Sequence, residues 1–200
     1  VKEKILKTAT DLFLSFGFKN VTMDVIAQNL GISKKTIYTY YTNKNELVSS
    51  CTQYLFYQIS QGVNTILEQN LNAIDEMIAI HQFIINSLRE EKASIQYQLN
   101  RYYPSVYKSL KEKKSEKMLV VIQKNLEKGM EAGYYREDLN PKIVAEFYRT
   151  LIEGIRNNEN LLIDHLSINT IINNFLDYHL RAIVSPLGLK HLKSLKTSNS

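Results

Sequence analysis

Gly31 to Leu47 reads G-I-S-K-K-T-I-Y-T-Y-Y-T-N-K-N-E-L. This window holds three lysines, three tyrosines and three threonines, and its only acid is Glu46. The chain carries 20 acids in all, yet none falls between Val25 and Asn45. The window also has the punctuation of short helices. Gly31 supplies the backbone freedom of a turn, Ser33 is a cap for a helix that follows, and Ile37 and Tyr41 stand four apart on one side of it. Asn43 and Glu46 have the spacing of a capping box, so another helix starts near Lys44 and runs to about residue 67.

Upstream, Ile5, Leu6, Ala9, Leu12, Phe13 and Phe16 recur at the spacing of one helix face. Gly17 follows where a left-handed C-terminal cap is usual. Thr22 caps a second, short helix that turns Ile26, Ala27 and Leu30 inward and ends at Gly31. Two short helices joined by Leu-Gly-Ile-Ser form a helix-turn-helix. Lys34 and Lys35 occupy the first turn of its second helix, where the helix dipole disfavours cations by roughly 0.3–1 kcal/mol each. Facing a phosphate backbone and base edges, the dipole, the free N–H groups and the lysines favour the anion together. Two lysines on a surface helix are ordinary. The turn, the caps and the acid-free window occurring together are not.

The remaining chain is helical in pattern. Seven Gly and three Pro are too few for a loop-rich β protein, and 44% hydrophobic residues suffice for a core. Longer helices are expected at roughly 72–90, 92–101, 104–132, 141–157 and 167–185, with Asn140-Pro141 as a strong start signal. Gly129 and Gly133 mark the end of the longest helix and a loop, and the segment from Pro186 reads as a frayed tail. The fold class is therefore all-α. The expected division is a helix-turn-helix DNA-binding domain over residues 1–49, a larger helical domain over 50–186, and a C-terminal tail over 187–200.

The balance of 25 basic and 20 acidic residues gives a net charge of +5, which permits a polyanionic partner without requiring one. Cys51 is the single cysteine and cannot form an internal disulfide, so a cytoplasmic setting is expected, with Cys51 a small buried residue rather than a redox sensor. No stretch approaches the ~20 apolar residues of a membrane span, and the first residues do not read as a signal peptide. The histidines at 81, 165, 179 and 191 lack metal-site spacing, and no nucleophile–base pair or glycine-rich phosphate loop is present. No metal, cofactor, membrane or enzymatic activity is expected. The run Lys108–Lys117 mixes both signs and reads as a solvated helix face.

The segment F-L-S-F-G-F-K-N-V-T-M-D-V-I-A-Q-N-L-G-I-S-K-K-T-I-Y-T-Y-Y-T-N-K-N-E-L closely resembles the DNA-binding domain of the TetR/AcrR family of bacterial transcriptional regulators. The resemblance covers about residues 3–49, with helix lengths, both glycines and the final Lys-x-x-Leu in register. It implies an all-helical homodimer, most often a repressor released from a palindromic operator by a small-molecule effector. It also implies roles. Thr22 becomes a phosphate contact; Ser33, Lys34, Lys35 and Thr36 begin the recognition helix in the major groove; Tyr38, Tyr40 and Lys44 reach backbone phosphates. Many members have Gly or a small residue where Lys35 stands, and His where Tyr40 stands.

Two segments of the larger domain bear on this reading. Residues 143–155 and 168–183 are apolar on more than one helix face, and the surplus points to a four-helix interface between subunits, as in the family. Its expected residues are Phe147, Leu151, Ile155, Ile172, Phe175, Leu176, His179 and Ile183. The family's ligand cavity lies among the central helices. There the resemblance points to His81, Phe83, Tyr97, Tyr102, Tyr103, Tyr107 and Tyr148 as a lining suited to a flat or amphipathic effector.

Overall fold

The computed structural model describes residues 1–87, 93–157 and 166–197. The described residues form ten helices: α1 Lys2–Phe16, α2 Met23–Leu30, α3 Lys34–Tyr38, α4 Lys44–Leu67, α5 Ala73–Ser87, α6 Ala93–Tyr102, α7 Pro104–Glu131, α8 Pro141–Asn157, α9 Ile168–Ile183 and α10 Pro186–Thr197. Among them there is no strand, only an isolated antiparallel bridge between Tyr135 and Val184. The ends expected near residues 90 and 92 lie outside the described residues, as does His165.

Local chemistry explains where the helices begin. All three prolines of the chain open a helix, where the missing N–H has no intrahelical partner to lose. Asn72 Oδ1 accepts from the N–H groups of Ile74 and Asp75 at 3.0 Å ahead of α5. Asn140 Oδ1 does the same for Lys142 and Ile143 ahead of α8, and Ser167 caps α9 through Thr170 N. Gly17 does not follow the left-handed form expected of it. Its φ of 82° and ψ of 157° lie in a region essentially closed to other residues. The carboxamide of Gln98 lies so close that a Cβ on Gly17 would stand 2.7 Å from it.

The described residues of Val1–Asn64 and Asn86–Lys114 form one compact unit, and those of Thr65–Ile85 and Ser115–Ser200 form another. In the first, Ile5, Ala9, Phe13, Ile26, Ile37, Tyr41, Leu47 and Val48 share one buried cluster. Ile95, Leu99 and Tyr103 belong to that same cluster, with the Tyr103 and Phe18 rings 5.8 Å apart. The helix-turn-helix therefore completes its core with residues from α6 and the junction that precedes α7. Cys51 is buried in this cluster, and burial pushes its thiol up to about 12, which removes the thiolate that redox sensing needs.

The second unit is built around a buried polar network. Glu76 on α5 is almost fully enclosed and accepts from Asn125 Nδ2 at 2.8 Å and from Lys128 Nζ. The other Nδ2 proton of Asn125 goes to the Ala73 carbonyl at 2.9 Å, and the Tyr135 hydroxyl stands 3.0 Å from Asn125 Oδ1. One carboxamide thus satisfies α5, α7 and the loop after α7.

The tail expected from Pro186 onward is instead α10. Ser185 Oγ accepts from Gly188 N at 3.1 Å, Leu192 is buried in the core cluster, and His191 Nε2 stands 2.9 Å from Asp75 Oδ1. The helix forms because Leu189, Leu192 and Leu195 recur on one face that the second unit buries. Residues 198–200 lie outside the described residues.

Removing the Asn125 carboxamide leaves the Glu76 carboxylate short of a donor in a site closed to water. Asn125→Leu is expected to destabilise the protein by about 2–4 kcal/mol in urea denaturation. A change below about 0.5 kcal/mol would show that the network contributes shape alone.

Candidate nucleic-acid interface

The helix-turn-helix is set by short-range bonds. Thr22 Oγ1 accepts from Val25 N at 3.2 Å and starts α2. Gly31, with φ 64° and ψ 30°, ends it in the left-handed region. Its N–H goes to the Gln28 carbonyl and that of Ile32 to the Ala27 carbonyl, the paired closure of a Schellman motif. Ser33 Oγ then accepts from Thr36 N at 3.0 Å and lies 2.8 Å from Thr36 Oγ1. Both caps and the turn stand where the sequence puts them.

A helix as short as α3 has no stability of its own. It is held because Ile37 is fully buried and Tyr41, just beyond it, is 2% exposed. Turning Ile37 inward turns its neighbours outward. Lys34, Lys35, Tyr38 and Tyr40 are exposed, as are Thr22 and Ser33, while Thr36 is half-buried beneath its cap. The Tyr38 and Tyr40 rings are 44% and 39% exposed, so both hydroxyls are free to meet a surface, whereas Tyr41 is committed to the core.

The charges of this face are not equally free. Lys34 Nζ donates to Asp24 Oδ2 at 2.7 Å, joining α3 to the first turn of α2. Lys35 makes no ion pair among the described residues. Glu46 accepts from both the N–H and the hydroxyl of Thr42 at 2.7 and 2.8 Å, which holds its carboxyl below the usual range. The capping box closes one residue early, on Thr42, with Asn43 Oδ1 accepting from Glu46 N.

Lys44, expected to reach a phosphate, is engaged within the chain. Its Nζ donates to the Phe18 carbonyl at 2.5 Å and sits 5.8 Å above the Phe13 ring. Partial burial there lowers its pKa. The start of α4 is thereby tied to the loop between α1 and α2. Neither this bond nor the Lys34–Asp24 pair has a local signal in the sequence, since the partners are separated by intervening turns.

The residues expected to line a ligand pocket fall in different units. Tyr97 and Tyr102 are exposed, Tyr103 is buried in the first unit's core and Tyr107 packs against that core. His81, Phe83 and Tyr148 belong to the second unit. There His81 Nε2 meets Asn173 Oδ1 at 3.1 Å, and the Tyr148 ring lies 5.2 Å from Phe175 and 4.9 Å from His179. Burial drives the His179 imidazole down to about 4 and lowers His81, so both are neutral near pH 7.

The expected subunit interface also divides. Ile172, Phe175, Leu176, His179 and Ile183 are buried within their own chain, and Ile155 is half-buried, so the core uses what the sequence assigned to a partner. Phe147 and Leu151 are exposed at 63% and 48%. Ile143 on α8 and Ile168 on α9, both within the apolar segments read from the sequence, are exposed as well, as is Tyr178 on α9.

Residues 5–51 match the family described as bacterial regulatory proteins, tetR family. The helix-turn-helix unit of the chain is thus that of TetR-family transcriptional regulators. Among its relatives is the uncharacterized HTH-type transcriptional regulator YhgD of Bacillus subtilis (strain 168), 27% identical over 164 residues that cover 76% of this chain and 82% of YhgD. Another is YdeS of the same organism, an uncharacterized HTH-type regulator, 28% identical over 177 residues that cover 80% of this chain and 83% of YdeS. The fold matches the crystal structure of a transcriptional regulator from Cytophaga hutchinsonii with a TM-score of 0.80 at 17% identity, covering 92% of this chain and 98% of that one. A regulator from Saccharomonospora viridis crystallised with choline gives a TM-score of 0.69 at 18% identity, over 92% and 97% of the two chains. The matched family is one of bacterial regulatory proteins, and both Bacillus subtilis relatives are described as HTH-type transcriptional regulators. No helix among the described residues is long and apolar enough to cross a membrane.

Lys44→Met keeps the stem over Phe13 and removes the cation. The variant is expected to lose about 1–2 kcal/mol of stability, because the Phe18 carbonyl loses its donor. It should leave the salt dependence of DNA binding unchanged. A slope lower by roughly two per dimer with unaltered stability would restore Lys44 as a phosphate contact.

Proposed function

We propose that the protein is a homodimeric repressor that binds an approximately palindromic operator and releases it when a small-molecule effector occupies the second unit. One observation carries the DNA-binding part. The exposed side of the helix-turn-helix presents Thr22, Ser33, Lys35, Tyr38 and Tyr40 together, and both acids flanking it are engaged, Asp24 by Lys34 and Glu46 by Thr42. A surface with hydroxyls, one unpaired lysine and no free carboxylate suits a phosphate backbone, with Lys35 and Thr36 placed on the short helix that enters the major groove. Thr22, Tyr38 and Tyr40 position the protein on phosphates.

Dimerisation is supported by the stripe Ile143, Phe147 and Leu151, four residues apart along α8, together with Ile168 and Tyr178 on α9. An apolar stripe of this size is costly to leave in water, and a second copy of the same helices covers it by two-fold symmetry. The effector part rests on family resemblance and on the choline bound by the Saccharomonospora viridis regulator. The aromatic and imidazole groups of His81, Tyr148, Phe175 and His179 are the candidate contacts in this chain.

Duplexes enriched by the protein from a random-sequence pool are expected to converge on an approximate palindrome. On that duplex Lys35→Ala should cost about 1–3 kcal/mol per half-site and much less on scrambled DNA. Phe147→Glu should yield a monomer in sedimentation and weaken operator binding more than tenfold. Enrichment of no common sequence, or equal loss on both duplexes for Lys35→Ala, would contradict sequence-specific recognition by α3.

A further inference from the structure

Two lysines stand side by side at the start of α3 in opposite electrostatic states. The Lys34 ammonium is 2.7 Å from Asp24 Oδ2, forming both a hydrogen bond and an ion pair. Lys35 has no such partner among the described residues. The pair is solvent-accessible, with the Lys34 and Asp24 side chains 45% and 67% exposed, so the core does not require it. A solvent-exposed pair of this kind adds little to stability. Its placement is more informative than its strength. Asp24 is the last acid before the acid-free window, and its carboxylate takes up one of the cations that a DNA-binding surface would offer first.

Non-specific DNA complexes are made almost wholly of lysine and arginine contacts to phosphate, each releasing counterions. A flexible lysine at the start of a recognition helix takes the nearest phosphate in any register. For Lys34 to do so here it must leave Asp24, and the carboxylate left behind would face the polyanion without compensation. Both consequences oppose the move. On an operator the register is fixed by contacts made elsewhere on the face, and the closed pair also braces α3 against α2.

We propose that Asp24 is a specificity determinant: by holding Lys34 inside the protein it withholds one phosphate contact per subunit from non-specific DNA while leaving operator recognition intact. This rests on the DNA-binding reading above. It assigns the two adjacent lysines different work, with Lys35 meeting the nucleic acid and Lys34 closing the helix-turn-helix. Lys35, Tyr40, the Tyr38 hydroxyl one turn further along α3, and Glu46, bonded to Thr42, are the other titratable groups of this face, and Lys34 makes its hydrogen bond to Asp24.

The test is a double-mutant cycle on DNA binding by the full chain, measured on an enriched operator duplex and a scrambled duplex over several salt concentrations. Asp24→Asn is expected to tighten scrambled-DNA binding roughly five- to tenfold near 0.1 M salt and to steepen its salt slope by roughly one unit per subunit. Operator affinity should stay within about twofold, so the specificity ratio falls. Lys34→Ala alone should leave the scrambled-DNA slope unchanged, and added to Asp24→Asn it should abolish the gain. Asp24→Ser, which keeps a hydrogen-bonding side chain in the first turn of α2, should behave as Asp24→Asn does, and thermal melts confirm that each variant is folded. If the gain from Asp24→Asn survives Lys34→Ala, the effect is diffuse repulsion and the proposal is overturned. A flatter slope for Lys34→Ala alone overturns it too, because Lys34 would already be on phosphates. Absence of salt-dependent DNA binding by the unsubstituted protein would instead refute the DNA-binding reading itself.

Discussion

Burial of Ile37 is the interaction on which the DNA-binding face depends. Five residues cannot hold a helix by backbone bonding alone, so α3 exists because Ile37 and the following Tyr41 enter the cluster formed by Ile5, Phe13, Ile26, Leu47 and Val48. That anchor fixes which residues point away. With Ile37 inward, Lys34, Lys35 and Tyr38 have no choice but to face solvent. Gly31 and the Ser33 cap then set the direction in which α3 leaves α2.

The second constraint is electrostatic. Cations collected on one surface repel each other and attract any available acid, so a face intended for phosphate must dispose of the carboxylates near it. Here Glu46 is spent on Thr42 and Asp24 on Lys34, while Lys44 is drawn down onto the Phe18 carbonyl. The face is consequently less cationic than its composition suggests. Hydroxyl donors, from Tyr38, Tyr40 and the two capping residues, make up much of what remains.

What could be read from the sequence was whatever depends on neighbours along the chain. Thr22, Gly31, Ser33 and Asn140 act on groups two to five residues away, and each was legible, as was the full extent of α4 from Lys44 to Leu67. Contacts made across the fold were not. Nothing near Gly17 announces that Gln98 will lie over it, and nothing near Lys44 announces Phe18. Apolar periodicity showed that α9 buries two faces but not against what, so Ile172 and Leu176 were assigned to a partner when their own chain encloses them. The α10 error is of another kind. Ser185-Pro186 carries the same start signal as Asn140-Pro141, although the closing Thr-Ser-Asn-Ser reads as a frayed end. The family resemblance places the tyrosines between 97 and 107 at a cavity among the central helices, although the fold uses Tyr103 in the core and leaves Tyr97 at the surface.

If DNA is bound on the acid-free side of α3, the reactivity of its lysines must change with the duplex in place. Reductive methylation read by mass spectrometry, with and without a saturating duplex enriched from a random pool, reports each ammonium separately. Lys35 is expected to become protected by DNA while Lys108, Lys111 and Lys113 on α7 keep their reactivity. Unchanged labelling of Lys35, with protection centred instead on Lys108 to Lys113, would contradict it.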